Sequence, residues 1–131
     1  MAVATPSEAA EAADPAPADE PVSVYERLRD AYARADARAA AELYAPDATW
    51  YDAGNQVHRG REAVAEHLRG FFATRGPVLY TVKRQVTGPE GALLAEWTSA
   101  WSEEGRRSTG LPGATSLQIG PEGISYHRDY Q

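Results

Sequence analysis

The periodicity of the apolar residues changes once along this chain, near residue 78, and this change constrains the possible folds more than any other feature. Before it, apolar residues recur at the three- and four-residue spacing of helices, whereas after it they fall into strand-like stretches separated by the turn-rich segments GPEG, EEGR and GPEG. Helices followed by a meander of strands predict an α+β domain, in which the helices cover the concave face of a curled antiparallel sheet. The four long strands are predicted at residues 78–87, 92–102, 108–119 and 123–130.

Three helices are predicted before this change. Ser23 and Glu26 have the spacing of a capping box at the start of the first helix. Asp36 can cap a short second helix, and Pro46 must end it. The helices are predicted at residues 21–36, 37–44 and 60–76, with a short strand at residues 47–54.

The first 21 residues are mostly Ala, Pro and acids, and we predict a disordered tail there and a single domain over residues 22–131. Five of the 19 acids and none of the 13 bases lie in residues 1–22, so the rest of the chain is nearly neutral although the net charge of the whole chain is −6. A nearly neutral domain is not typical of nucleic-acid binding, and we expect no nucleic-acid partner. No apolar run approaches the ~20 residues that span a bilayer, and no secretory signal is evident. We therefore expect a cytoplasmic protein without membrane association. The absence of cysteine excludes thiolate chemistry and disulfides.

Three motifs carry a resemblance to a known superfamily: LYAPDATWYDAG, GREAVAEHLRGFF and the closing GISYHRDYQ. In this order and spacing they resemble the nuclear transport factor 2-like superfamily, particularly the SnoaL-like polyketide cyclases, limonene epoxide hydrolases and ketosteroid isomerases. The resemblance implies a cone-shaped fold whose mouth holds a small molecule, and a homodimer through the outer face of the sheet. It also implies catalytic carboxylates at Asp52, three residues after the Thr of DAT, and at Asp129 in the terminal RDY.

The chain also departs from these families. The long strand has Trp97, Thr98 and Ser99 where limonene epoxide hydrolases have Arg-x-Asp, so the Asp-Arg-Asp triad is absent. Thr115 falls near the inward acid of the ketosteroid isomerases. Both departures weaken a direct transfer of either family's reaction.

Strand side chains alternate faces, so one inward residue fixes its neighbours. If Asp129 faces the cavity, His127 and Ser125 face it too. The residues that face away are candidates for the dimer interface: Arg128 and Tyr130, together with Thr98 and Ala100 of the long strand. A bulge is predicted at the Gly110–Pro112–Gly113 cluster. The predicted catalytic residues are Asp129, Asp52 and His127, and the predicted substrate-binding residues are Trp50, Trp97, Ser99, Trp101, Thr115 and Tyr32.

These residues also have structural interpretations. Asp52 can cap the turn in DAGN, His127 can be a satisfied core histidine, and the tryptophans can simply fill the core. His58 is predicted to lie in a loop before the third helix, and the three histidines show no ligand-like grouping with acids, so no metal is expected.

The functional hypothesis is a cyclase or isomerase that needs no cofactor and acts by acid–base chemistry on a polyketide-like or other flat, apolar small molecule. The alternatives are an epoxide-opening cyclase or hydrolase on the same scaffold and a binding module without catalysis.

Overall fold

The computed structural model describes residues 20–103 and 105–131, without the side chains at positions 103 and 107–109. The tail predicted for residues 1–21 falls almost entirely outside the described residues. No helix among the residues described is long and apolar enough to cross a membrane.

The three predicted α-helices occur in the predicted order within the residues that the structure describes. Helix α1 begins at Pro21, two residues before Ser23 of the predicted capping box. Proline is favoured in the first turn of a helix, because the backbone N–H that it lacks has no partner there. The N-cap residue is Glu20, and its side chain makes no capping hydrogen bond. The predicted capping box at Ser23 is therefore wrong. Asp36 caps α2 as predicted, accepting a 2.9 Å hydrogen bond from the Ala39 backbone N–H. The helices are α1 Pro21–Ala33, α2 Ala37–Ala41 and α3 Arg61–Arg75.

The second helix ends earlier than predicted, and Tyr44 starts a strand instead. Pro46 lies within this strand, which pairs with the last strand of the chain. The pairing is interrupted between Tyr44 and Thr49, so the missing N–H of Pro46 removes no hydrogen bond between the two strands. In the described part of the chain the strands are β1 Tyr44–Tyr51, β2 Val57–Arg59, β3 Val78–Thr87, β4 Ala92–Glu103, β5 Arg106–Gly120 and β6 Gly123–Tyr130.

These strands form one open sheet in the order β2-β1-β6-β5-β4-β3. Four of the five pairs within the described residues are antiparallel, as predicted, whereas β1 and β6 run parallel. A parallel pair needs a long connection, which α3 and the β3–β5 meander supply. The parallel pair places the motifs of residues 43–54 and 123–131 side by side.

Among the described residues, bulges occur in β3, at Lys83 between the partners of Trp97 and Glu96, and in β5 and β6. In β5 an extra residue lies between the partners of Ser99 and Trp101, at Gly110 with φ of +71°, which confirms the predicted bulge. In β6 the extra residue is Ser125, between the partners of Gln118 and Ile119. The core fills the space between helices and concave face and includes Leu28, Tyr44, Val64, Leu68, Val78, Leu93, Leu117 and Ile124.

Candidate active site

A cavity of about 350 Å³ opens between α3 and the concave face of the sheet. Its walls carry both predicted carboxylates, Asp52 and Asp129, together with most of the predicted substrate-binding residues. The cavity is open and not plugged by its tryptophans. It is lined by Tyr32, Trp50, Asp52, Ala53, Gly54, Gln56, His67, Phe71, Arg75, Val78, Tyr80, Trp97, Ser99, Trp101, Asp129 and Gln131.

A narrower recess shares Asp129 with this cavity and contains the two predicted site residues that do not line the larger space, Thr115 and His127. Tyr32 and Tyr80 also line both. The predicted residues are therefore distributed over two adjoining spaces, with Asp129 and Tyr32 common to both.

Asp129 and His127 are hydrogen-bonded, with 2.7 Å between His127 Nε2 and Asp129 Oδ1. The other ring nitrogen of His127, Nδ1, lies 2.6 Å from the Tyr44 hydroxyl. An ionised carboxylate can only accept, so Nε2–H donates to Asp129 and the Tyr44 hydroxyl donates to Nδ1. Burial, followed by the charge of Asp129, raises the pKa of Tyr44 well above its ordinary value, which keeps this hydroxyl a donor.

Two further donors hold the Asp129 carboxylate. The Thr115 hydroxyl donates to Oδ1 at 2.9 Å, and the indole N–H of Trp50 donates to Oδ2 at 3.0 Å. The indole N–H of Trp97 in turn donates to Thr115 at 2.8 Å, which orients the hydroxyl toward Asp129. The carboxylate is thus positioned by three residues that are predicted to bind substrate: Trp50, Thr115 and, through Thr115, Trp97.

Ring stacking fixes the same group of residues. The imidazole of His127 stacks on the indole of Trp50, with 5.0 Å between centroids and 9° between planes. Both side chains are almost fully buried, whereas the Asp129 side chain is 18% exposed. Of this group, the Asp129 carboxylate is therefore the part that reaches the solvent-accessible space.

Besides Tyr44, three tyrosines are grouped around this carboxylate: Tyr25, Tyr32 and Tyr80. Burial raises the pKa of Tyr25 to about 12, against the opposing charge of Arg29 and with a smaller contribution from Asp129. Burial is also the main cause of the raised pKa values of Tyr32 and Tyr80, and the charge of Asp129 adds to both. At neutral pH these phenols are available as hydrogen-bond donors.

Asp52 caps a turn, as its structural interpretation predicts, and it also contacts a histidine. Its Oδ1 accepts 2.9 Å hydrogen bonds from the backbone N–H groups of Gly54 and Gln56 and so caps the turn. Its Oδ2 lies 2.9 Å from Nε2 of His58. Burial on its own would raise the pKa of Asp52, but the hydrogen bonds from His58 and from the two N–H groups outweigh burial and lower it below its ordinary value.

Two histidines lie beside Asp52. His58, predicted to lie in a loop, belongs to β2 and pairs with Trp50 of β1, and His67 on α3 lies 3.7 Å from Asp52 Oδ2. Burial, and then the neighbouring His58, lowers the pKa of His67, and Asp52 opposes this shift only in part. The prediction that the histidines show no grouping with acids is therefore wrong, because residues distant in sequence meet where β1, β2 and α3 converge.

The third tryptophan, Trp101, has a different environment. It is partly exposed, and the guanidinium of Arg75 on α3 lies 4.7 Å from its ring centroid. The Ser99 hydroxyl, two residues earlier on β4, is buried and donates a long 3.5 Å bond to the Leu111 carbonyl. Ser99, Trp101 and Arg75 form the part of the cavity wall that is nearer the C-terminal end of β4.

The prediction for Ser125 is wrong. Ser125 is exposed and its hydroxyl donates to the Gln118 carbonyl, while Ile124 and His127, three residues apart, both face the core. The bulge at Ser125 breaks the alternation of faces that the prediction assumed.

Sequence reasoning also missed several residues of the site. The sequence pattern predicts Tyr44 on the second helix, and no motif links it to His127, 83 residues later. Tyr80 could have been identified from the alternation of side chains on β3, because this alternation makes Val78 and Tyr80 face inward. No signal identified Arg75, because its partner Trp101 lies on a different element.

The helix order and the open, bulged sheet match a cone-shaped α+β fold that solved structures described as ketosteroid isomerase-like and nuclear transport factor 2-like also have. A profile of the SnoaL-like domain matches residues 25–125, and the chain belongs to the SnoaL-like domain family. No curated protein matches the chain.

Solved structures of similar fold include proteins from three bacteria. A hypothetical protein of ketosteroid isomerase-like fold from Catenulispora acidiphila, solved with trimethylamine, has 22% identity and a TM-score of 0.74, over 82% of this chain and 84% of that one. A proposed SnoaL-like polyketide cyclase from Shewanella putrefaciens has 13% identity and a TM-score of 0.73, over 83% and 77%. A proposed polyketide cyclase from Xanthomonas campestris has 17% identity and a TM-score of 0.71, over 85% and 89%. At these identities the likeness shows the fold alone.

Proposed function

We propose that this protein is an acid–base cyclase or isomerase acting on a flat, largely apolar, polyketide-like molecule, with Asp129 as the group that moves the proton. The observation that carries the proposal is the setting of this carboxylate at the cavity wall. It accepts hydrogen bonds from His127, Thr115 and Trp50. Since a carboxylate offers about four acceptor positions, about one remains for a substrate proton.

The chemistry that fits this arrangement is proton removal next to a carbonyl group. Asp129 takes the proton from carbon, and the C–H electron pair moves into an enolate. The enolate either regains the proton at another position or attacks a second carbonyl carbon to close a ring, in which case the π electron pair of that carbonyl moves to its oxygen and takes the proton back from Asp129. The residues behind the carboxylate hold it in one orientation, so little reorganisation is needed during proton transfer. His127 and Tyr44 are positioning residues in this scheme.

The aromatic walls support the proposed substrate class. Trp50, Trp97, Trp101 and Tyr80 present rings to the cavity, and rings of this kind hold flat apolar ligands by their faces. The volume of about 350 Å³ lies near the lower end of the ~300–1,000 Å³ range of small-molecule sites. A molecule of two or three fused rings suits it better than a long chain. The neighbours named as proposed polyketide cyclases agree with this class.

A second reaction has one specific observation in its favour. Asp52 and Asp129 line the same cavity, and one carboxyl group can protonate an epoxide oxygen while the other accepts the proton of an internal hydroxyl. The product would be a cyclic ether. Reaction in ¹⁸O-labelled water separates this cyclisation from hydrolysis, because only hydrolysis places the label in the product.

The experiment that tests the main proposal is deuterium exchange by NMR in D₂O. A panel of enolisable bicyclic and tricyclic ketones, beginning with 1-tetralone, is incubated with the protein, and loss of the signal of the proton next to the carbonyl is followed. We expect faster exchange than in buffer for at least one ketone, with saturation as the ketone concentration rises. No acceleration with any ketone would count against proton removal next to a carbonyl.

We also propose that the protein forms a homodimer through the outer face of the sheet. Register places Leu79, Val86, Leu94 and Tyr130 on this face, and each is 47–52% exposed. Exposed apolar side chains on one face are typical of an interaction surface. Analytical ultracentrifugation of the wild type and of Leu94→Lys tests this, since the charge should convert the dimer to monomer.

A further inference from the structure

A second polar cluster lies at the rim of the cavity, formed by Asp52 at the end of β1, His58 on β2 and His67 on α3. Nε2 of His58 is 2.9 Å and Nε2 of His67 is 3.7 Å from the same oxygen, Asp52 Oδ2. The ligand atoms of the three side chains all lie within 4.8 Å of one another. Three residues from three separate elements thus aim their donor atoms at one small volume.

From this geometry we propose that Asp52, His58 and His67 bind a divalent first-row transition-metal ion, of the class of Zn²⁺ or Fe²⁺. Ligands about 2.0–2.2 Å from a tetrahedral ion are about 3.3 Å from each other, and the distances of 2.9 Å and 3.7 Å lie on either side of this value. The third distance, between the two imidazole nitrogens, is at most 4.8 Å, so this pair must approach by no more than about 1.5 Å to hold one ion. Two imidazoles with one carboxylate suit such ions, whereas Mg²⁺ and Ca²⁺ prefer sites made of oxygen.

The surroundings of the cluster fit a metal site. The other oxygen of Asp52, Oδ1, is held by the backbone N–H groups of Gly54 and Gln56, which leaves Oδ2 directed at the histidines. Trp50 packs against both imidazole rings, at 5.0 Å from His58 and 5.2 Å from His67. The apolar ring on one side and the fixed carboxylate on the other limit the movement of the ligands.

The cluster leaves coordination positions open toward the cavity, because Asp52 and His67 line its wall. Three protein ligands with an open position are typical of sites where a metal meets substrate or water. A bound ion would face the same space as Asp129. The binding proposal is independent of the reaction proposed for Asp129, because it concerns different residues and is tested without turnover.

The test is metal binding to the full chain after removal of metals with a chelator. Zn²⁺ is titrated by calorimetry, and Co²⁺ is titrated by its visible absorption, into the wild type, Asp52→Asn and His67→Gln. The Asn side chain keeps an oxygen for the turn, which protects the fold. Glu66→Gln, an exposed neighbour on the same helix, is the matched control.

We expect the wild type and the control to bind one ion per chain. The two ligand variants should bind the ion at least tenfold more weakly, because even the loss of a residue that only supports a metal ligand typically lowers metal affinity about 10–100-fold. NMR of the three histidines gives an internal control: Zn²⁺ should shift the signals of His58 and His67 and leave that of His127 in place. The proposal is overturned if the wild type takes up neither ion, if the ligand variants bind as tightly as Glu66→Gln, or if the His58 and His67 signals do not move.

Discussion

His127 and Asp129 lie two residues apart on β6 and are joined by a 2.7 Å hydrogen bond between Nε2 and Oδ1. Because the second nitrogen of His127 is occupied by the Tyr44 hydroxyl, the ring has no freedom to turn away from the carboxylate. Tyr44 belongs to β1, so the parallel pairing of β1 with β6 is what completes this chain of hydrogen bonds. The catalytic proposal depends on this relation, since it fixes the orientation of Asp129.

Replacing Tyr44 by Phe should destabilise the protein by about 1–3 kcal/mol, because Nδ1 of the buried His127 loses its partner. Urea unfolding at neutral pH measures the difference. Glu66→Gln, at an exposed position on α3 outside the proposed dimer face, should change the free energy of unfolding by less than about 0.5 kcal/mol. Equal effects of the two substitutions would show that the Tyr44–His127 bond does not stabilise the fold.

Gly113 should tolerate no side chain. A Cβ at this position would lie 2.3 Å from the Trp97 ring, so Gly113→Ala must displace the indole that orients Thr115. We expect a loss of about 1–3 kcal/mol in the free energy of unfolding and a shift in tryptophan fluorescence. Gly70→Ala is the matched control: nothing lies within 4 Å of its Cβ, and in a helix alanine is favoured over glycine by roughly 0.5–1 kcal/mol. A neutral Gly113→Ala variant would contradict the close packing.

Stability should fall in alkaline solution partly because of Tyr25. Its pKa of about 12 in the folded protein exceeds the value of about 10 for an exposed tyrosine, so the unfolded chain loses this proton first as pH rises. The stabilisation is complete below about pH 10 and is lost as the pH rises toward 12. Tyr25→Phe cannot ionise, so its stability should fall less between about pH 10 and 12, as urea midpoints would show. If the midpoints of Tyr25→Phe and the wild type fall in parallel, the raised pKa is not present.

The overall fold could be predicted because it rests on local signals. Apolar periodicity, Asp36 at a helix start and Gly76 followed by Pro77 at a helix end each specify structure within a few residues. The resemblance of three short motifs supplied the arrangement of these elements. The parallel pairing of β1 with β6 joins segments far apart in the chain, and no local pattern indicates it.

The candidate site was predictable only in part. Face alternation placed Asp129, His127 and Trp50 correctly because no bulge separates them from their neighbours, and it failed at Ser125, where a bulge intervenes. His58 and His67 were missed because they meet Asp52 only through the packing of α3 against the β1–β2 hairpin. Such meetings depend on tertiary structure and leave no spacing in the sequence.

The most direct test of the account compares Asp129→Asn with the wild type in the deuterium-exchange assay, using a ketone that the wild type processes. Asn keeps the shape but cannot accept the proton, so the catalysed rate should fall by about 10²–10⁴-fold while circular dichroism and the unfolding midpoint show a folded protein. Asp47→Asn, at an exposed position on β1, should keep the wild-type rate. A folded Asp129→Asn variant that exchanges the proton as fast as the wild type would contradict the central role of Asp129.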